Sequence, residues 1–487
     1  MTKTVTIDPV TRLEGHGKIT IWLDDRGDVD RALFQVPELR GFEAFCVGRN
    51  AEDMPQVTSR ICGVCPTAHH MAAARALDDL FQVEPTPAAK AIRKLFYNMF
   101  MFEDHLVHFY FLGGPDFIVG PDAPAAERNI LGVIGKLGID AGRKVLDIRK
   151  RCRDLMTSIG GRATHPVLAL PGGVAKEVTE EKRREIRAFA ADAIEFAEFT
   201  LGVFHALVLS NQGYVDSILS DVYTTRTNYM GLVNDKNQVD FCGRNVRVVH
   251  PDGEELVSFA PQDYATYIAE HVEPWSYVKF PYLRKLGWRG FTAGSGSSLV
   301  RVAPLGRLNA SAGMATPLAQ AESERLYETL GGKPAHNTLA WHWARLVEVT
   351  QAAETIRSLA DVPELTDPNI RSMDLQTPRE GVGIVEAPRG TLVHHYLSDA
   401  SGVITGVNLL VATLFNSAAI CMSIEKAAKG LIRGGRVTDG ILNRIEMALR
   451  AYDPCLSCAT HSLPGAMPLH GRGVDARSPR RLSDVRR

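Results

Sequence analysis

Cys62 and Cys65 in RICGVCPTAHH, and Cys455 and Cys458 in YDPCLSCATH, form two Cys-x-x-Cys pairs at opposite ends of the chain. Each spacing lets two thiolates from one turn grip a single metal ion. Four thiolates make a soft site, suited to zinc, iron-sulfur clusters, copper(I) or nickel rather than magnesium or calcium. A four-cysteine zinc staple is the plain structural alternative. Small zinc modules, however, keep their ligand pairs within tens of residues, whereas most of the chain separates Cys65 from Cys455. A site built from both pairs would tie the whole fold together. Cys46, Cys152, Cys242 and Cys421 show no pairing by spacing and read as packing residues.

The elements that must position these thiols can be read from periodicity. Residues 4–37 alternate apolar and polar side chains around Asp24-Asp25-Arg26-Gly27, the pattern of a hairpin. From Pro87 to Leu112 an apolar-rich helical pattern carries Asp104, His105 and His108 on consecutive turns. Thr179 is placed to cap a helix running to about Leu209, with Glu180 and Glu181 at its electropositive start. Thr316-Pro317 opens another helix, and residues 336–359 and 416–451 read as two further helical regions. Residues 240–260 and 381–413 look like short strands and loops. The expected class is mainly α with small peripheral β regions.

With 45% hydrophobic and 23% charged residues the chain has ordinary globular composition, which excludes the disordered and disulfide-rich classes. Lys plus Arg number 55 against 56 Asp plus Glu, so no strong field recruits nucleic acid or an anionic membrane. The opening MTKTVTIDPVTRLEGHGKI lacks the basic start and apolar core of a secretory signal, and the expectation is a cytoplasmic chain. The most apolar stretch, residues 193–209, is broken by Glu195, Glu198 and His205 and reads as a buried helix rather than a membrane span. After His461 the sequence turns rich in Arg, Gly, Pro and Ser. Six arginines and two aspartates give this tail about +4, leaving about −5 on the rest of a chain of net charge −1. The expected organisation is one domain over 1–461 and a detachable extension over 462–487.

The residues around the cysteines resemble the paired signatures of the large, catalytic subunits of nickel-iron hydrogenases. TRLEGHGKI (11–19), LRGFE (39–43), EDHLVHFY (103–110), EAPRG (386–390) and LLVATLFN (409–416) extend the resemblance over residues 7–461. It implies a large helical-bundle body and reversible heterolytic cleavage of hydrogen. Cys62, Cys65, Cys455 and Cys458 would hold nickel, with Cys65 and Cys458 bridging to an iron that bears carbon monoxide and cyanide. Cys455 would accept the proton and Glu14 would pass it outward; an isolated Glu would instead read as a surface acid. Arg389 would hang over the open coordination site, held by Asp104 and Asp453. Pro388, Arg389 and Thr413 would line the pocket of the diatomic ligands, and His69 would donate to a bridging thiolate. Glu43, the carbonyl of Leu409 and His461 would bind magnesium.

The same resemblance makes His461 the point where a maturation protease cuts once chaperones have inserted nickel, although Ser462 departs from the small apolar residue of many relatives. No ferredoxin-like cysteine run is present, so an iron-sulfur small subunit must carry the electrons. RGTLVHHY, EPWSYVKFPYL and HFYFLGGPDF resemble the soluble branch that feeds diaphorase or heterodisulfide-reductase-type subunits. Two alternatives stand beside this reading: a metal-free large subunit of the complex I type, against which all four cysteines argue, and a structural zinc protein.

Overall fold

In this computed structural model, which describes residues 3–460, 470–475 and 478–486, the chain opens with three antiparallel strands. These are β1 (Lys3–Ile7), β2 (Lys18–Leu23) and β3 (Val29–Gln35). β2 and β3 form the expected hairpin, and Asp24 Oδ1 holds its turn by accepting from the backbone N–H groups of Arg26 and Asp28 at 2.9 Å. The helices that follow include α1 (Phe42–Cys46), α2 (Pro66–Leu80), α3 (Pro87–Val107), α4 (Ile139–Gly160) and α5 (Glu180–Phe204). α3 starts at the expected proline, behind a Thr86 hydroxyl that accepts from Ala89 N–H at 3.2 Å. From Ala91 to Leu106 only Lys94 reaches solvent, so this helix is core on every face.

The Thr179 cap is also present, accepting from Lys182 N–H at 3.2 Å. α3 and α5 both stop a few residues before the periodicity does and close in wider π-type turns, His108–Gly113 and His205–Leu209. α5 buries Phe189, Ala193, Phe196, Ala197 and Phe204 against the body. No single helix among the described residues is long and apolar enough to cross a membrane.

A second sheet contains β4 (Asn228–Val233), β5 (Asn245–Val249) and β6 (Glu255–Phe259), with β7 (Val300–Arg301) parallel to β4. Then come α6 (Ala303–Ala310), α7 (Pro317–Leu330) and α8 (Trp341–Leu359), which packs on both α3 and α5. The antiparallel strands β8 (Glu380–Ala387), β9 (Gly390–Ser398) and β10 (Ile404–Leu410) lead into α9 (Ala412–Leu431) and α10 (Asp439–Arg450). The single region expected over 416–451 is thus two helices, parted by a turn where Gly434 and Gly435 take φ of 57° and 74°. Helices outweigh the small sheets, as expected.

One contact positions the site. α2 carries an alanine face, including Ala68, Ala72 and Ala76, and β8 lies directly against it because Gly381 and Gly383 have no side chains. A Cβ on Gly381 would stand 2.2 Å from Ala76 O, and one on Gly383 2.1 Å from Ala72 O. The two elements run antiparallel, so each step up β8 moves toward the N-terminus of α2. The Pro388-Arg389 turn therefore meets Cys65. Gly383→Ala should lower the melting temperature, because the clash is with backbone that cannot rotate away. We expect overpacking to cost about 2 kcal/mol or more, against about 0.4–1 kcal/mol returned by stiffening the unfolded chain. Thermal unfolding and bound metal per chain should both fall; a variant unchanged in both would show that the close approach does not hold the site.

Candidate metal centre

The two cysteine pairs meet. Cys62 Sγ lies 3.4 Å from Cys455 Sγ, Cys65 Sγ lies 3.4 Å from Cys458 Sγ and 3.9 Å from Cys455 Sγ, and Cys455 Sγ and Cys458 Sγ are 2.7 Å apart. All four sulfurs lie within 4.8 Å of one another and all four residues are buried. Thiolates at about 2.3 Å from one tetrahedral ion stand about 3.8 Å apart, so the cluster has the dimensions of a shared metal site. Hydrogen bonds from Cys455, Cys458 and Cys65 pull the Cys62 thiol well below its ordinary range, while burial pushes Cys455 and Cys458 well above theirs. Four thiolates therefore cannot coexist in this dry space without a cation. The residues present fit a soft metal ion.

Each pair is held by its surroundings. Cys62 and Cys65 sit on the turn that caps α2, where Cys62 Sγ accepts from the N–H groups of Val64 and Cys65 at 3.2 and 3.3 Å. The Cys455 segment runs beside residue 14, with Leu456 N–H donating to Glu14 O at 2.9 Å and Cys455 N–H donating to Thr413 Oγ1 at 3.0 Å. Arg40 ties the two segments together, donating to Ile61 O and, at 3.3 Å, to Ser457 O, while its backbone N–H reaches Thr460 O at 2.8 Å. Arg40, to which the sequence assigned no role, stands in LRGFE three residues before Glu43.

Glu14 is brought to the sulfurs. The Cys455 thiol donates to its Oε2 at 3.0 Å and Ser457 N–H at 3.1 Å, and the residue is half-buried, so one end of it reaches toward solvent. Arg389, Asp104 and Asp453 also come together. Ala387 and Gly390 pair across a two-residue hairpin that presents Arg389, whose Nη1 and Nη2 donate at 3.2 Å to Asp104 and Asp453. Asp453 takes φ of 53°, left-handed backbone that a side chain tolerates only when its surroundings hold it there. Burial works against the Arg389 charge, but the two carboxylates outweigh it and hold its pKa well above the ordinary range. Burial drives the Asp104 carboxyl up to about 7, with Arg389 opposing and Asp453 adding to the rise.

Between Arg389 and Cys65, Cys455 and Cys458 lies a small cavity of about 10 Å³. Its walls include Ala387, Leu392, Val411, Thr413 and His69; Pro388 lies in the turn and not in the wall. His69 is fully buried, which lowers its pKa to about 4, and its Nδ1 meets His394 Nε2 at 3.1 Å. At the edge of the sheet, Leu409 N–H donates to Glu43 Oε1 at 2.7 Å, which places Glu43 beside the backbone of residue 409. His461, the third member of that expected set, lies outside the described residues.

A buried network that the sequence did not reveal braces the Arg389 turn. Arg307 on α6 donates to both oxygens of Glu348 on α8 at 2.6 Å and to Glu386 on β8 at 2.7 Å, and His105 on α3 meets Glu348 at 2.9 Å. Although burial pushes Glu348 up, the charge and hydrogen bonds of Arg307 prevail, with help from His105, and hold its carboxyl at about 2. Glu386 stands two residues before Pro388, so this network fixes the strand that leads into the Arg389 turn.

A model described as nickel-dependent hydrogenase matches residues 40–129 and 294–461, and one described as HoxL-like matches residues 4–39. The chain is 46% identical over 468 residues, 96% of each protein, to an F420-non-reducing hydrogenase iron-sulfur subunit of Archaeoglobus profundus. It is 38% identical over the full length of both chains to the NAD-reducing hydrogenase HoxS subunit beta of Cupriavidus necator. The solved structure of an NAD+-reducing [NiFe]-hydrogenase superposes with a TM-score of 0.89 at 36% identity, over 94% of this chain and 100% of that one. With more than half of its length matched by the family model, and its four metal-binding thiols in one buried group, the chain belongs to the nickel-dependent hydrogenases, as a large subunit of the nickel-iron type and an oxidoreductase.

Proposed function

We propose that the chain cleaves molecular hydrogen reversibly into two protons and two electrons, with Cys62, Cys65, Cys455 and Cys458 holding nickel and with Cys65 and Cys458 also bound to iron. The bound metals supply an electron-rich centre at which hydrogen is split heterolytically. The observation that carries this reading is the placement of the four thiols between two unlike groups: a buried guanidinium on one flank and a half-exposed carboxylate on the other. Cys455 Sγ takes the proton, and Glu14, 3.0 Å away, relays it toward solvent. Arg389, fixed by Asp104 and Asp453, keeps a permanent cation over the cavity, since a guanidinium cannot serve as a base at physiological pH.

The cavity edged by Arg389 and Thr413 is where the carbon monoxide and cyanide ligands of the iron would sit, with Pro388 shaping the turn above them. Thr413 already binds Cys455 N–H through its hydroxyl oxygen, which leaves its proton available to a cyanide nitrogen. His69, in the same wall, donates to a bridging thiolate. Glu43, the carbonyl of Leu409 and His461 form the magnesium site; the meeting of Glu43 with residue 409 supports this.

Relatives whose names make them single components of larger hydrogenases support a multi-subunit enzyme. One cluster of four thiols among the described residues leaves no wire for electrons, and an iron-sulfur small subunit takes them from here. One relative is named F420-non-reducing and another NAD-reducing; we assign a soluble acceptor in the cytoplasm, reached through diaphorase or heterodisulfide-reductase-type subunits. We assign residues 1–461 to the working domain and residues 462–487 to an extension removed by a maturation protease after chaperones deliver nickel.

Three outcomes are expected. The purified complex should contain about one nickel per chain and reduce viologen, NAD or NADP with hydrogen, while Cys455→Ser should keep its fold by circular dichroism and lose that activity; a single zinc per chain would overturn the reading. Glu14→Gln should slow hydrogen-deuterium exchange by about a hundredfold or more at unchanged metal content, whereas unchanged exchange would move the proton route elsewhere. The mass of the active polypeptide should end at His461; a full-length chain with full activity would show that the tail is retained.

A further inference from the structure

Behind His69 runs a chain of buried polar side chains that nothing above uses. His69 Nδ1 meets His394 Nε2 at 3.1 Å, and His394 Nδ1 meets the Tyr396 hydroxyl at 2.6 Å. All three side chains are shut off from solvent. His394 and Tyr396 both lie on β9, two residues apart, and so point to the same face of the sheet as the α2 residue they serve. Their neighbour His395 points the other way, to Tyr264 and Glu380. The alternation of β9 thus puts one histidine and one tyrosine in line behind the metal centre.

A row of such groups has only two arrangements of its protons, because each neutral imidazole carries one N–H and one bare nitrogen. In the first, Tyr396 donates to His394 Nδ1, His394 Nε2–H donates to His69 Nδ1, and His69 must carry its proton on Nε2. In the second, every bond is reversed, and His69 holds its proton on Nδ1. The geometry selects the first. A separation of 2.6 Å is short for N–H donation to oxygen, which falls at about 2.7–3.2 Å, and natural for a hydroxyl donor. Imidazole nitrogen is a strong acceptor and phenol oxygen a weak one. Burial holds the Tyr396 phenol protonated, with its pKa well above the ordinary range. The competing acceptor for its proton is the Thr58 hydroxyl, which hydrogen-bonds with Tyr396 and donates its own proton to Met54 O at 2.7 Å. An alcohol oxygen accepts less strongly than imidazole nitrogen, so the phenol proton goes to His394.

We propose that Tyr396 is a positioning residue which, through His394, fixes the tautomer of His69 so that its Nε2–H is the end presented to the thiolate cluster. This rests on the nickel-iron reading of that cluster. A donor aimed at a thiolate withdraws electron density from it and from the metal it binds. Tyr396→Phe keeps the ring and its packing but removes the donor to His394 Nδ1, so His394 can also adopt its Nδ1–H tautomer and accept from His69 Nδ1, and the proton of His69 is no longer fixed on Nε2. The step is an exchange of hydrogen bonds, and no proton leaves the row.

The test uses the intact complex and three variants: Tyr396→Phe, Thr58→Val, and His395→Gln on the opposite face of the strand. Infrared bands of iron-bound carbon monoxide and cyanide are recorded with nickel content and melting temperature. In Tyr396→Phe the carbon monoxide band should move to lower wavenumber, as the thiolate gains electron density, at unchanged nickel content. Thr58→Val and His395→Gln should leave it at the wild-type position. A Tyr396→Phe band at the wild-type position, or a Thr58→Val band that moves, would overturn the proposal, the latter because Thr58 would then be the true acceptor. Neutron diffraction from deuterated crystals locates the protons directly: a deuteron on His69 Nε2 is expected, and one on His69 Nδ1 would overturn the assignment. Absence of any diatomic bands would reject the iron-ligand reading alone, since the deuteron positions would still decide the role of Tyr396.

Discussion

Two short segments, 393 positions apart in the chain, must bring four sulfurs within 4.8 Å of one another, and the architecture answers to that requirement. Bringing sulfurs together in a dry interior is unfavourable unless a cation shares them, because each thiolate loses its hydration and repels its neighbours. The protein meets this from three sides. Two glycines in β8 let a strand lie against the alanine face of α2, which brings the Arg389 turn onto Cys65. Backbone bonds between residue 14 and the Cys455 segment fasten the last ligands to the start of the chain. Arg40 then bridges both cysteine segments.

The charges that surround this centre are arranged in layers. Arg389 lies between Asp104 and Asp453; behind it, Arg307 lies between Glu348 and Glu386. Buried ion pairs of this kind are weak sources of stability, since desolvation cancels much of their attraction. What they supply is fixed geometry. Glu386 belongs to the strand that leads into the Arg389 turn, so the inner network holds the backbone from which the outer one projects. The low effective dielectric that makes such pairs costly also lets a single guanidinium exert a strong field across a cavity of about 10 Å³.

How far the sequence reveals this depends on whether partners are close along the chain. The two Cys-x-x-Cys pairs are local patterns, and a soft four-thiolate site could be read from them alone. The choice of nickel, and the roles of Glu14, Arg389, Asp104 and Asp453, came from the resemblance of whole segments, and the fold brings those residues together around the sulfurs. The helices were legible because strong periodicity runs on from Pro87 and from the Thr179 cap. Their ends were not, because π-type turns continue the apolar pattern after the regular hydrogen bonding has stopped. Arg307 and Glu348 gave no signal, and Arg40 and the His394–Tyr396 pair stood in segments that carry the resemblance but had no role assigned there. Each becomes informative only when separate elements are packed together, 41 residues apart for Arg307 and Glu348 and 325 for His69 and His394, and an isolated Arg or His is compatible with many environments.

The contrast between the two flanks of the cluster bears on how a heterolytic reaction can be run inside a protein. Splitting a neutral molecule into unlike charges needs a field to direct the separation and an exit for only one of the products. Arg389 and its carboxylates are buried to within about 2% of full enclosure, so that flank can polarise but cannot exchange protons with solvent. Glu14 is the reverse, a half-buried carboxylate in contact with Cys455. Had both flanks been wet, the field of Arg389 would be screened; had both been dry, a proton would have no way out. Under the proposed proton route the asymmetry follows from the chemistry, and β8 and the N-terminal segment around Glu14 are the two elements that impose it.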